Sequence, residues 1–266
     1  MNRSLLLLFA VAGSLTSAEM EMVPAMPVAA FGGGTRILEV AFRNNSDHPV
    51  EAEIRKEVFQ STSATAVQII KVPLWKKLRL HARQTALEEV SLDLPVVRAE
   101  TRFLVRFIHR ETVLGQRDVW VYPSNVLTEL NSILAGAPLT LDAVPAGWKE
   151  ILTTAGVNVF ECPPHALTMP TNRIALLGPS AEARGEVMPA GGGIIQIRKL
   201  ATPDAFIAPA YELVYSKGIT KVVAQESALV SLSGDPWAQL RLLRMARLAA
   251  GGEQFERSKS NTLNKP

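Results

Sequence analysis

The chain has a single cysteine, Cys162, among its 266 residues. A lone cysteine closes no internal disulfide, which excludes a small secreted disulfide scaffold. Aromatic residues are only 6% of the chain and charged residues 20%. The formal net charge is just +3, so the pI of 9.1 reflects a small surplus of Lys and Arg. No stretch interleaves basic and aromatic residues densely, as a nucleic-acid surface would, and no nucleic acid is expected as a partner. Past the first twelve residues, no apolar run approaches the roughly 20 residues needed to span a bilayer.

The opening run, Leu5 to Val11, is itself too short to span, and its surroundings give it another meaning. Arg3 places a positive charge ahead of it. Gly13 to Ala18 follows with small residues, Thr16 and Ala18 standing where a signal peptidase requires them. That is the three-part layout of a cleaved secretory signal. Residues 1–18 are therefore expected to be removed, leaving a mature chain that starts near Glu19 in the periplasm or outside the cell. No cysteine follows the leader to carry a lipid. Loss of Arg3 leaves a charge of +2 on 248 residues, enough for one or two domains at ~100–200 residues each. After cleavage no membrane span is expected.

Residues 19–34 are rich in Met, Ala and Pro and end in Gly32-Gly33-Gly34, which reads as a flexible arm. From Thr35 the pattern becomes short alternating segments. Val50, Ala52 and Ile54 alternate with Glu51, Glu53 and Arg55. Asn44 to Pro49 is a dense turn cluster. Further strands are expected at Val67–Val72, Lys76–Leu80, Ala86–Leu92, Arg102–Arg110 and Val113–Val121. Six or seven such strands over residues 35–122 indicate an all-β, immunoglobulin-like sandwich.

At Pro123 the period changes. Val126, Leu127, Leu130, Ile133 and Leu134 recur at helical spacing behind Ser124, a good N-cap. Strands are expected at Leu139–Leu141, Val157–Phe160, Ile174–Leu177, Gly193–Ile197 and Ile219–Ala224. A helix is expected over Pro145–Ala155 and another from Asp235-Pro236 to Ala250, with Asp as cap and Pro at the first helical position. Strands alternating with helices over residues 123–252 indicate an α/β domain with a mainly parallel, flavodoxin- or Rossmann-like sheet. Residues 253–266 are polar and are expected to form a disordered tail.

In open α/β sheets, ligands bind outside the carboxyl ends of the strands. That rule selects Asp142, Glu161 with Cys162, Gly178 with Ser180, and Gln225 with Glu226. Asp142 and Glu161 can serve as acid, base or ligand, and Asp142 can equally cap the helix near Pro145. Cys162 has His165 three residues on, in Cys-Pro-Pro-His. A thiol nucleophile needs such a base, yet catalytic pairs usually come from distant sequence. Two ligands do not make a zinc site, and His48, His81 and His109 lie in the other half, so no metal is expected. Gly178-Pro179-Ser180 follows a strand but lacks the glycine two residues after Ser that a nucleophile elbow needs; Ser180 reads as a cap. Gly191-Gly192-Gly193 precedes a strand rather than a helix, so it does not cradle phosphate. Arg241, Arg244 and Arg247 share one arc of the last helix, with Leu242, Leu243, Met245, Ala246 and Ala249 on another, and read as its solvated face.

Several of these segments together resemble the class I glutamine amidotransferase-like superfamily: Leu139–Asp142, Ala155-Gly156-Val157, Ile174 to Pro179, Gly191 to Ile195 and Asp235 to Leu240. They are most similar to its degenerate members in exported bacterial proteins, behind an immunoglobulin-like domain. The resemblance spans roughly Pro123 to Ala250. It implies the fold with its chemistry lost, because the Gly-x-Cys-x-Gly elbow and the downstream His are absent. No catalytic residue carries over and no cofactor is expected. The sequence therefore points to an exported, non-enzymatic binding or assembly protein whose partners are other envelope proteins. The alternatives are a hydrolase using Cys162 and His165 with Asp142 or Glu161, or a small-ligand site at the sheet's carboxyl edge involving Asp142, Glu161, Gly178 and Ser180.

Overall fold

The computed structural model describes residues 19–61, 66–162, 174–181, 193–199, 211–216, 219–229 and 231–251. They divide into two compact units. The first holds residues up to 28, 35–93 and 101–119. The second holds 29–34, 94–100 and everything from 120 onward.

In the first unit, alternation of apolar and charged residues produces strands with one buried and one wet face. β1 (Met20–Met22), β3 (Thr35–Asn44) and β6 (Thr85–Asp93) form one antiparallel sheet in the order β1-β3-β6. β4 (Val50–Ser61), β5 (Ala66–Leu80), β7 (Thr101–His109) and β8 (Thr112–Tyr122) form another, in the order β8-β7-β4-β5. Phe42 of the first sheet meets Phe107 of the second edge-on, with ring centroids 5.5 Å apart, and Trp75 of β5 lies 5.3 Å from Phe107. Phe42, Phe103 and Phe107 are fully buried.

The turn cluster at Asn44 is a clamp. The buried Asn44 amide donates to the carbonyls of His48 at 2.7 Å and His81 at 3.0 Å, while its oxygen accepts from the Ser46 amide and hydroxyl. One side chain thus ties the β3–β4 turn to the β5–β6 turn. β5 was expected as two strands and is one. The register with β4 jumps from Ile54↔Lys76 to Lys56↔Val72, leaving Pro73 to Trp75 as a bulge. β5 is an edge strand, where a proline without an N–H is tolerated.

Alternation also carries Lys56 inward between Ile54 and Val58. It is 9% exposed, and its ammonium donates to the Ser91 carbonyl at 2.8 Å. Burial holds its pKa below the usual 10.5, partly opposed by the charge of Asp93.

The second unit begins with the end of β8, Trp120–Tyr122, paired with β2 (Val28–Phe31). The Gly32 amide donates to the Tyr122 carbonyl at 2.9 Å. The stretch expected as a flexible arm therefore carries two strands, β1 and β2. A single 3-10 turn, Val126–Thr128, precedes α1 (Glu129–Leu134), so that helix starts later than Ser124 would place it. β9 (Leu139–Asp142), α2 (Trp148–Thr154), β10 (Val159–Glu161), β11 (Ile174–Leu177), β12 (Gly193–Arg198), β13 (Tyr211–Ser216), β14 (Ile219–Gln225) and α3 (Pro236–Ala249) follow. The sheet order is β10-β9-β11-β12-β14-β13, with β13 antiparallel to β14 and every other pair parallel. α3 lays Leu242, Leu243, Met245 and Ala246 on the core. Asp235 caps it, accepting from the Trp237 amide at 2.9 Å. Arg247 pairs with Glu129 at 2.6 Å.

The expected class, an immunoglobulin-like sandwich followed by an α/β flavodoxin- or Rossmann-like domain, is corrected by this structure. Strands make up 53% of the described residues, the helices among them are three and short, and the second unit's sheet is mixed. The misreading has a physical source. Short apolar runs such as Ile174–Leu177 report burial on both faces, which a parallel α/β sheet and a mixed sheet produce alike. β13, the strand that makes this sheet mixed, was not expected, although Tyr211, Val214 and Tyr215 are strand formers; nothing local in Tyr211–Ser216 sets its direction against β14. The tail beyond residue 251 and the leader before residue 19 lie outside the described residues.

Two outcomes follow for stability. Asp235→Ala removes the α3 cap and should cost about 1 kcal/mol in urea unfolding, typical of a lost N-cap. Lys56 binds its proton less readily folded than unfolded, so stability attributable to it rises with pH between its folded pKa and 10.5. Compared with Lys56→Met, the wild type should gain in denaturant midpoint from pH 7 to pH 10. A difference that stays flat with pH would show that Lys56 is solvated in the native state.

Candidate functional site

The carboxyl edge of the second unit's sheet gathers most of the residues selected from the sequence. Asp142 ends β9, Glu161 and Cys162 end β10, and Gly178 and Ser180 follow β11. Their backbones interlock: the Cys162 amide donates to the Leu141 carbonyl at 2.8 Å, and the Gly178 amide to the Asp142 carbonyl at 2.8 Å. Asp142 lies level with Leu177, and Leu177 level with Gln196. With a strand spacing of about 4.8 Å, Asp142 and Gln196 stand roughly 10 Å apart across one intervening strand.

Each residue has a local role. Asp142 is 6% exposed, and it does not cap α2, whose N-cap is Gly147 without a side-chain hydrogen bond. Glu161 is exposed and paired with Lys149 at 2.8 Å. Cys162 packs with Ala143 against Ala175, Leu177, Ala181 and Ile194, an apolar patch. Gln196, buried in β12, donates to the Gly178 carbonyl at 3.3 Å. Ser180 is exposed in the turn after β11. His165, the base proposed for Cys162, lies outside the described residues. So does Gly191-Gly192, and so does the helix that Ser180 was expected to cap. Among the described residues no group of three or more metal-ligating side chains forms, and no helix is long and apolar enough to cross a membrane.

Two glycines show how tightly the ends of this sheet are built, Gly178 at the carboxyl edge and Gly193 at the opposite end, where β12 starts. A Cβ on Gly178 would sit 1.7 Å from the Ala143 carbonyl oxygen, so the loop after β9 presses directly on the end of β11. A Cβ on Gly193 would sit 2.1 Å from the Ala249 carbonyl oxygen, which brings the end of α3 against the start of β12. Both glycines serve close backbone approach rather than turn geometry.

The first unit carries a second candidate that sequence reading did not select. The outer face of β4, β5 and β7 holds a hollow of about 550 Å³ lined by Arg55, Lys77, Arg79, His109 and Arg110, among others. A neighbouring hollow of about 360 Å³ shares Glu51, His109 and Arg110 with it. Glu53 pairs with Lys77 at 2.5 Å. That hydrogen bond and charge hold the Glu53 carboxyl below the ordinary carboxylate range and the Lys77 ammonium above its own. The sequence signal was present as strand alternation, which puts Glu51, Glu53 and Arg55 outward, but residues 55 and 110 meet only through strand pairing.

No known family profile matches the chain, and no curated protein matches its sequence. Among solved structures it has a partial likeness to the alkylpurine DNA glycosylase AlkC of Pseudomonas fluorescens, 14% identical with a TM-score of 0.32, over 40% of this chain and 31% of that one. A β-glucosidase from Listeria innocua matches at 17% identity and a TM-score of 0.31, over 39% of this chain and 16% of that one. A CARDB domain from Pyrococcus furiosus matches at 13% identity and a TM-score of 0.27, over 39% of this chain and 94% of that domain. The chain spans less than two thirds of the glycosylase and of the glucosidase. At these scores none of the three fixes a fold or an activity, and the amidotransferase resemblance receives no support.

Gly178→Ala should destabilise the second unit by about 1–3 kcal/mol, the usual cost of forcing atoms into a packed site. Urea unfolding followed by tryptophan fluorescence checks this, since Trp120, Trp148 and Trp237 all lie in that unit. An unchanged midpoint would mean that the Ala143 carbonyl yields without cost.

Proposed function

We propose that the chain is an exported, non-enzymatic protein that binds or assembles with other proteins of the cell envelope. The leader pattern at residues 1–18 motivates export. The observation that carries the non-enzymatic reading is the state of the carboxyl edge. Its polar groups are taken up in architecture: Glu161 by Lys149, Gln196 by the Gly178 carbonyl, and Gly178 by close packing on Ala143. The Cys162 thiol has apolar neighbours. A nucleophilic thiol works as its thiolate, in an electropositive and accessible setting. A site for small molecules at this edge would have to use Asp142, which is buried, Glu161, which is paired with Lys149, or Glu226, which follows β14.

Alkylation of the purified protein by iodoacetamide at pH 7 should be slow, at the rate of an ordinary unactivated thiol or below. Cys162→Ala should leave the thermal midpoint nearly unchanged and remove no hydrolytic activity. Rapid alkylation, together with ester or amide hydrolysis abolished by Cys162→Ala, would establish the hydrolase alternative instead. Intact mass of the secreted protein should place its first residue at Glu19.

A further inference from the structure

The outer face of the first unit separates its charges into those that cancel and those that do not. Across β4 and β5, Glu53 stands opposite Lys77 and Glu51 opposite Arg79. The first pair is closed at 2.5 Å and the second lies at 3.7 Å. Two cations lining the same hollow are left over. Among the described residues, neither Arg55 nor Arg110 has a carboxylate partner. The Nε of Arg55 is buried without any hydrogen-bond partner. The Nε of Arg106 and of Arg117 share that state, so what sets this hollow apart is the positive charge that Arg55 and Arg110 leave uncompensated in its lining among the described residues.

Arg110 adds an independent observation. It is the first of two residues, Arg110 and Glu111, that connect β7 to β8, and its φ is +54°. The first position of such a two-residue turn with positive φ favours glycine. An arginine there opposes the turn's own preference, and strained positions of this kind gather where ligands bind. His109 lines the same hollow, and its Nδ1 lies 3.1 Å from the Glu53 carbonyl. A carbonyl only accepts, so Nδ1 carries the hydrogen and Nε2 is left to accept a hydroxyl or, when protonated, to donate. Pro73 of the β5 bulge also lines the hollow, which lies where the register shift draws β5 away from Arg55.

We propose that this hollow binds a polar small molecule bearing an oxyanion, a phosphate or a carboxylate, gripped by Arg55 and Arg110 and contacted by His109. Guanidinium groups suit such oxygens because they present paired donors in a planar fork. The volume falls within the roughly 300–1,000 Å³ of small-molecule sites, so the oxyanion is one group of a larger ligand. The lining of paired charges calls for hydroxyl or amide groups on the rest of it. The assignment deepens the binding reading given above but uses neither Cys162 nor the second unit, so the two fail separately.

Inorganic phosphate and citrate are the probes, titrated into the purified full chain against chloride at equal ionic strength, with binding read by calorimetry and by the His109 imidazole resonances. Saturable binding of either probe is expected, with shifts confined to His109 among the four histidines or shared with its neighbour His48. Arg55→Met and Arg110→Gly should each weaken it by about tenfold or more, as expected for loss of one charged contact. Arg110→Gly relieves the turn and should fold at least as stably as the wild type, so it stands as the test if Arg55→Met misfolds. Stronger binding of phosphate assigns a phosphoester ligand, and stronger binding of citrate a carboxylate. Absence of saturation for both probes, or equal affinity in the wild type and Arg110→Gly, would overturn the proposal.

Discussion

The contact among Phe42, Trp75 and Phe107 is the constraint from which the first unit's surface follows. Three rings from β3, β5 and β7 occupy one volume between two antiparallel sheets. Once Phe107 and Ile54 face inward, the period of two sends Glu53, Arg55 and Arg106 outward, and the turn after β7 adds Arg110. The charged face is therefore a consequence of the core. Trp75 reaches that core only because the bulge at Pro73 to Trp75 resets the register of β5. The shift amounts to two residues, an even step that leaves the faces of β5 the same on both sides of the bulge. Lys56 is the exception that the pattern tolerates, because its long stem crosses the core and its ammonium finds the Ser91 carbonyl.

The second unit rests on a different restriction, close approach of backbone. Gly178 meets the loop at Ala143, and Gly193 meets the end of α3. The first contact closes the carboxyl ends of β9 and β11, and the second closes the opposite end of the sheet at the start of β12. At the carboxyl edge Glu161 is paired with Lys149, and the Gln196 amide donates to the Gly178 carbonyl. The first unit's hollow shows the reverse arrangement. There the cross-strand pairs satisfy one another and leave two guanidiniums over, in a concavity with room for a molecule.

Much of the local structure was legible in the sequence. The strands from Thr35 to Tyr122 follow the alternation, Asn44 to Pro49 is the turn its composition describes, and Asp235-Pro236 opens α3 with the cap its chemistry predicts. The apolar arc of α3 is the buried one, and Arg247 on the other arc is solvated and paired with Glu129. Other features were not legible. Residues 19–34 looked like linker because β1 and β2 are too short to show a period. Asp142 looked like a helix cap because it precedes α2, yet Gly147 occupies that position. The class was misjudged because burial on both faces looks alike in parallel and mixed sheets, and nothing local in β13 sets its direction against β14. Of the two candidate sites, only the carboxyl edge came from a rule about sequence order. The hollow depends on residues 55 and 110, which share no motif.

What the sequence by itself determined is everything that depends on neighbours a few residues apart: strand period, turn chemistry, helix caps, and which side chains lie on a common face. Tertiary structure alone decided the register between strands, the bulge that admits Trp75, the fusion of β5 into one strand, and the pairing of each charge. The physical reason is range. A cap or a turn is satisfied by local backbone donors and acceptors, whereas Arg55 keeps its unpartnered nitrogen beside Arg110 only because β4 and β7 pair from more than fifty residues apart.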